Sequence, residues 1–279
     1  MSFADEQGQN SKARNVAIGI VIALLAGGGA WWWMHDSPPD PPAQAAAAAP
    51  VTTTTPADPP PIKHPLPSAP EAAASAPAAP ANVDPDTQAA NALGELFQGK
   101  LADWLITDQL LRRLVATVDN LPRNERTEAR RPLRAPPGPF VVTREVQDAV
   151  TGTERITLAP ANFARYDIPV GMLARADPAD AVAAYRRLYP QLQQAYEDLG
   201  YPGRYFNDRV VEVIDELLAT PEPTGPILLE QPKVLYRFAD ADLEARSAGQ
   251  KLLLRMGVGH ARVVKEKLRA IRTLIAGKE

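Results

Sequence analysis

The chain has 279 residues, with 30 Lys and Arg against 33 Asp and Glu, a formal net charge of −3, 29 prolines and no cysteine. So balanced a charge leaves no electrostatic footprint for nucleic acid. The lack of cysteine excludes disulfides and thiol nucleophiles, so stability has to come from packing.

Residues 16–34 are a run of nineteen without one charge. At about 1.5 Å per helical residue this run matches a hydrocarbon core of ~30 Å, so it is expected to be a transmembrane helix. Lys12 and Arg14 precede it and Asp36 and Asp40 follow it, a charge bias that keeps residues 1–15 in the cytoplasm and exports the remainder. Trp31, Trp32 and Trp33 stand where an interfacial aromatic belt belongs. A cleaved leader is the competing interpretation. The apolar run is long for one, and cleavage after Ala30 would leave three tryptophans at a new N-terminus.

About half of the prolines fall between Pro38 and Pro85, among alanine and threonine tracts. Residues 35–87 therefore read as a disordered Pro/Ala-rich linker, too poor in large apolar side chains to offset the entropy of ordering. Extended at about 3.1 Å per residue, such a tether reaches on the order of 150 Å.

Residues 88–279 are expected to form one mainly α-helical domain in the periplasm with a small β-hairpin. The spacing of Leu101, Trp104, Leu105, Leu111, Leu114, Val115 and Val118 predicts an amphipathic helix ending near Asp119, ahead of Pro122. Residues 123–139 read as a charged, proline-rich excursion. Residues 140–146 and 155–158, either side of Val150-Thr151-Gly152-Thr153, predict the hairpin. Asp177, Pro178 and Asp180 mark a helix start; this helix is broken or kinked at Pro190 and closed by Gly200. Another opens at Phe206 or Asn207 and ends before Pro221, followed by a loop over 220–232 and an unassigned apolar run over 234–238. Asp240 caps a predicted helix to Met256, and a last helix runs to Ala276 with Val263, Val264, Leu268, Ile271, Leu274 and Ile275 as its stripe.

The chemical inventory mostly excludes. From residue 87 onward there is one serine, Ser247, and one histidine, His260. Ser247 lacks a nucleophile elbow and His260 stands at a helix start, so a hydrolytic pair is not expected. With so few soft ligands no metal site and no cofactor are expected, and Asp240, Asp242 and Glu244 read as an acidic first turn, not a calcium loop.

Two clusters remain. Tyr166, Tyr185, Tyr189, Tyr196, Tyr201 and Tyr205 lie among Arg165, Arg186, Arg187 and Arg204, a composition enriched at binding surfaces. Asn162, Arg165, Tyr166, Tyr196, Tyr201, Arg204 and Tyr205 are the candidate binding residues, with Tyr201 and Tyr205 foremost because glycines and Pro202 set them in a loop. Tyr185 and Tyr189 read as core. Arg255, Arg262, Lys265, Lys267, Arg269 and Arg272 form a basic group near the C-terminus, suited to anionic lipid, an acidic partner or simply solvent.

Residues 115–123 (VATVDNLPR), 162–166 (NFARY), 188–190 (LYP), 194–202 (QAYEDLGYP) and 249–257 (GQKLLLRMG) together resemble the bacterial domain of unknown function 3014 over about residues 93–274. The resemblance implies a Gram-negative inner-membrane layout of anchor and spacer and brings no catalytic residue or ligand with it. The expected function is a membrane-tethered, non-enzymatic binding module of the cell envelope. Its expected contacts are the inner membrane through residues 16–34 and an envelope protein or cell-wall glycan, with no nucleic acid. The alternative is a carboxylate-dependent glycan-cleaving enzyme using Glu197, Asp198, Asp208, Glu212 or Asp215.

Overall fold

The computed structural model describes residues 60–66, 83–123, 131–134, 138–148 and 150–276. The expected membrane span over 16–34 lies outside them. Among the described residues no helix is long and apolar enough to cross a membrane.

The domain is mainly helical with a small antiparallel four-stranded sheet. Its first helix, α1 (Pro85–Leu96), starts where Asp84 accepts the Thr87 amide at 2.9 Å, with proline at the first position, inside the stretch assigned to the linker. The single helix predicted across 101–118 is two pieces: a 3-10 turn at Ala102–Trp104 and α2 (Leu110–Asn120). The apolar spacing runs through both, but Gln109 takes a left-handed conformation at φ 50° and re-aims the chain between them.

Strands β1 (Val142–Asp148) and β2 (Thr153–Leu158) make the expected hairpin, in register from Val142 opposite Leu158, with an irregularity between Val146 and Asp148. Two further strands extend it, one inside the stretch expected to be a loop over 220–232 and one in the unassigned run over 234–238. β3 (Leu228–Glu230) pairs with β2 and β4 (Arg237–Phe238) pairs with β3, so the order follows the chain. Leu158, Leu229, Phe238 and Leu254 form a small core under this sheet.

A second 3-10 stretch, Pro160–Tyr166, leads into α3 (Asp167–Arg175). α4 (Pro178–Asp198) is capped as expected by Asp177, which accepts the Ala179 amide at 2.7 Å, and it carries Pro190 within its length. α5 (Phe206–Leu218) buries Val210, Val211, Val213, Ile214 and Leu217. The helix predicted from Asp240 to Met256 is broken into α6 (Ala241–Glu244) and α7 (Ala248–Arg255), because Ser247 caps the second piece through the Gln250 amide. The last helix, α8 (Gly257–Ile275), packs against α3, α4, α5 and α7 and organises the main core. Its stripe differs from expectation at two places: Leu274 is 37% exposed, while Lys265 is buried with its ammonium on the Thr220 carbonyl and Glu222.

Candidate functional site

Two adjoining polar constellations occupy the region where α2, α4 and α5 meet. The first centres on Asp119, buried near the end of α2. Its carboxylate accepts Arg209 Nε at 3.1 Å, Arg123 Nη2 at 2.8 Å and the Tyr201 hydroxyl at 2.9 Å, and Arg209 Nη2 also reaches the Asp119 carbonyl at 2.7 Å. A buried carboxylate needs this set of charge-assisted donors to offset its lost hydration. Tyr201 stacks on Tyr196 with ring centroids 4.6 Å apart, and the Arg204 guanidinium lies 5.9 Å above the Tyr201 ring. Arg123 thus pairs with Asp119, one helical turn back, and also donates to the Tyr201 hydroxyl.

The second constellation is built where α4 caps α5. Tyr205, at the N-cap position, makes no side-chain cap, so the first amides of α5 are satisfied from the neighbouring helix. Gln193 Oε1 accepts the Phe206 amide at 2.8 Å, and the Tyr189 hydroxyl accepts the Asn207 amide at 3.2 Å. Asn207 is fully buried, and the Tyr185 hydroxyl donates to its Oδ1 at 3.1 Å. Its amide nitrogen is thereby aimed at two carbonyls, Ile275 at 3.1 Å and His64 at 2.8 Å.

His64 belongs to residues 60–66, a piece of the expected linker that lies against this constellation. The Lys63 and His64 amides donate to the two oxygens of Asp208 at 3.0 and 2.7 Å, and the Leu66 amide donates to the Tyr205 hydroxyl at 3.2 Å. His64 Nδ1 lies 3.3 Å from the Ala276 carbonyl, and Leu66 packs on the main core.

Of the candidate binding residues, Tyr196, Tyr201 and Arg204 come together beside Asp119, while Tyr205 joins the second constellation through its contact with Tyr189. Asn162 is 1% exposed, and its side chain clamps the Val141 backbone and the Ala159 carbonyl, which seats the hairpin. Tyr166 is buried in the main core and Arg165 is half-buried beside it. Asp119, Gln193 and Asn207 are not among the candidates singled out from the sequence, and Asp208 is named there only as an acid of the glycan-cleaving alternative; the partners of Asn207 and Asp208 in residues 60–66 lie far away in sequence.

The remaining residues considered for chemistry are held by the chain itself. Glu197 accepts from Gln193, Asp198 from Gln194, Glu212 from Arg209 and Asp215 from Arg272. His260 bridges the Met256 carbonyl and Asp167. Within the basic group, Lys267 holds the Ala176 carbonyl, Arg262 holds Glu222, and Arg255 lies over the Phe238 ring. Among the described residues no group of three or more His, Cys, Asp or Glu side chains is placed to hold a metal ion.

The family model for Protein of unknown function (DUF3014) matches residues 110–272, more than half of the chain. The chain belongs to this family. The match begins at the first residue of α2 and ends inside α8, so it takes in Asp119, Tyr201, Asn207 and Asp208 and leaves out residues 60–66. For this family member, no curated protein and no solved structure matches.

Burial raises the pKa of Tyr166, Tyr185 and Tyr189, and pushes that of Tyr196 up to about 12 with help from Asp119. In the folded chain these hydroxyls keep their protons where the unfolded chain releases them, so the stability they contribute is complete below pH ~10 and falls as the pH rises above it. Absorbance titration near 295 nm should show four of the seven tyrosines ionising late, and together with unfolding. Ionisation of all seven in a chain that keeps its helical circular dichroism would contradict the burial described here.

Proposed function

We propose that this protein is a membrane-tethered, non-enzymatic binding module of the cell envelope. Residues 16–34 serve as its single inner-membrane anchor, and the helical domain faces the periplasm to engage an envelope protein or cell-wall glycan. The observation that carries the binding reading is the seating of residues 60–66, a segment bent at Lys63 and His64 and gripped through its backbone by Asn207, Asp208 and Tyr205. A face that grips one polymer segment in this way is suited to binding, and the donors around Glu197, Asp198, Glu212 and Asp215 commit those acids to the fold. The uncharged run, its basic start and its tryptophans support the anchored, exported topology.

The test has two arms, both on the full chain. A reporter enzyme active only after export, fused behind Glu279, should be active. Photocrosslinking from Tyr201 or Arg204 in living cells, followed by detergent extraction, should recover a protein or glycan partner absent from a control that keeps only the anchor and linker. An inactive reporter removes the envelope assignment, and no partner above the control removes the binding reading.

A further inference from the structure

The contacts of residues 60–66 describe a ligand and its site. Two consecutive amides share one carboxylate, one carbonyl meets Asn207, and one further amide meets Tyr205, so every backbone N–H from Lys63 to Leu66 is bonded. Pro65 has none to bond, and the chain bends at Lys63 and His64, which turns both amides toward Asp208. Two side chains turn inward, the His64 ring toward the Ala276 carbonyl and Leu66 onto the core, whereas Ile62 is 55% exposed and Lys63 and Pro65 face solvent.

The receiving groups are held by the domain itself. Asn207 is fixed by Tyr185 and Ile275, Tyr205 packs on Tyr189, and Asp208 sits in the first turn of α5 behind the cap supplied by Gln193. Residues 60–66 reach the domain only through sixteen intervening residues, 67–82, rich in proline and alanine. A ligand tied by so short a connector has an effective concentration on the order of millimolar, enough to fill a site of modest intrinsic affinity.

Resting on the binding-module reading, we propose that this face is a peptide-recognition site for segments of the form Xaa-His-Pro-Leu that bend at their first two residues, read mainly through their backbone. Residues 60–66 are its resident occupant. The partner is a polypeptide of that chemistry, which enters by displacing the chain's own segment. Since residues 60–66 then move with the domain, occupancy also sets where the domain sits along the tether.

Fluorescence anisotropy of a labelled synthetic peptide of residues 58–68 on the detergent-solubilised full chain tests this. A full chain carrying His64→Ala and Leu66→Ala, whose own segment is weakened, should bind the peptide at least about tenfold more tightly than the wild type, because the site is no longer filled in cis. Adding Asp208→Ala should abolish that binding without moving the thermal transition by more than a few degrees. The same peptide with both inward residues replaced by alanine should bind about tenfold more weakly. Equal binding of the native and replaced peptides by the weakened chain, with its circular dichroism intact, overturns the site. A concentration-dependent doubling of the wild-type mass that Asp208→Ala abolishes would assign the face to exchange between copies and overturn the partner assignment. Failure here alongside successful partner recovery by photocrosslinking would leave the binding-module reading standing, whereas failure of that recovery would remove it whatever the peptide does.

Discussion

Replacing Asp119 with alanine is expected to cost about 3 kcal/mol, lowering the melting temperature by about 6–12 °C for a domain of this size. The side chain of Asp119 is 6% exposed and that of Arg209 16%, so the substitution leaves a guanidinium facing a low-dielectric space where a carboxylate stood. The Tyr201 hydroxyl loses its acceptor in the same step. Arg209 keeps the carbonyl of residue 119 and the exposed Glu212, and Arg123, 40% exposed, keeps the Tyr201 hydroxyl and water, which holds the loss at the lower end of the range for a broken buried pair. Asp119→Asn preserves the shape and one acceptor and should cost about half as much. Thermal melts of the three chains followed by circular dichroism check this. A loss below about 1 kcal/mol for the alanine variant would show that the network is not held as described.

Gly257→Ala should be similarly damaging, at about 2–5 kcal/mol, for two reasons that add. Gly257 sits at φ +84°, a conformation that costs an L-residue about 1–2 kcal/mol. A Cβ there would also lie 2.9 Å from the ring of Phe163, and relieving that overlap costs about 1–3 kcal/mol. Gly259, two residues on, has nothing within 4 Å of the equivalent position and is helical, so Gly259→Ala should be neutral or stabilising by up to about 1 kcal/mol. The pair separates backbone geometry from a general intolerance of change at the start of α8. Equal effects at the two positions would refute the geometric argument.

What the sequence revealed follows the range of the interactions involved. The start of α4 was legible because Asp177 and Pro178 act within one turn, and α5 because its apolar positions repeat over three turns. Asp84 and Pro85 carry the same signal for α1, masked by the proline- and alanine-rich surroundings that also describe a linker. Strands of two and three residues, as in β3 and β4, are too short for any alternation to register. The basic group near the C-terminus looked like a surface feature, but much of it is spent on Glu222, Asp215 and backbone carbonyls far away in sequence. The tyrosine and arginine composition found the right neighbourhood. It missed Asn207 and Asp208 because their role depends on contacts with residues some 143 to 145 positions earlier.

The claim on which the rest depends is that residues 60–66 are held by Asp208, Asn207 and Tyr205 in the intact protein. Hydrogen–deuterium exchange of the full chain measures this directly at the amides of Lys63, His64 and Leu66. Protection well above that of an unstructured peptide, lost on Asp208→Ala at the first two while the α5 amides stay protected, is the expected result. Exchange of the three amides at the free-peptide rate in the wild-type chain would contradict it.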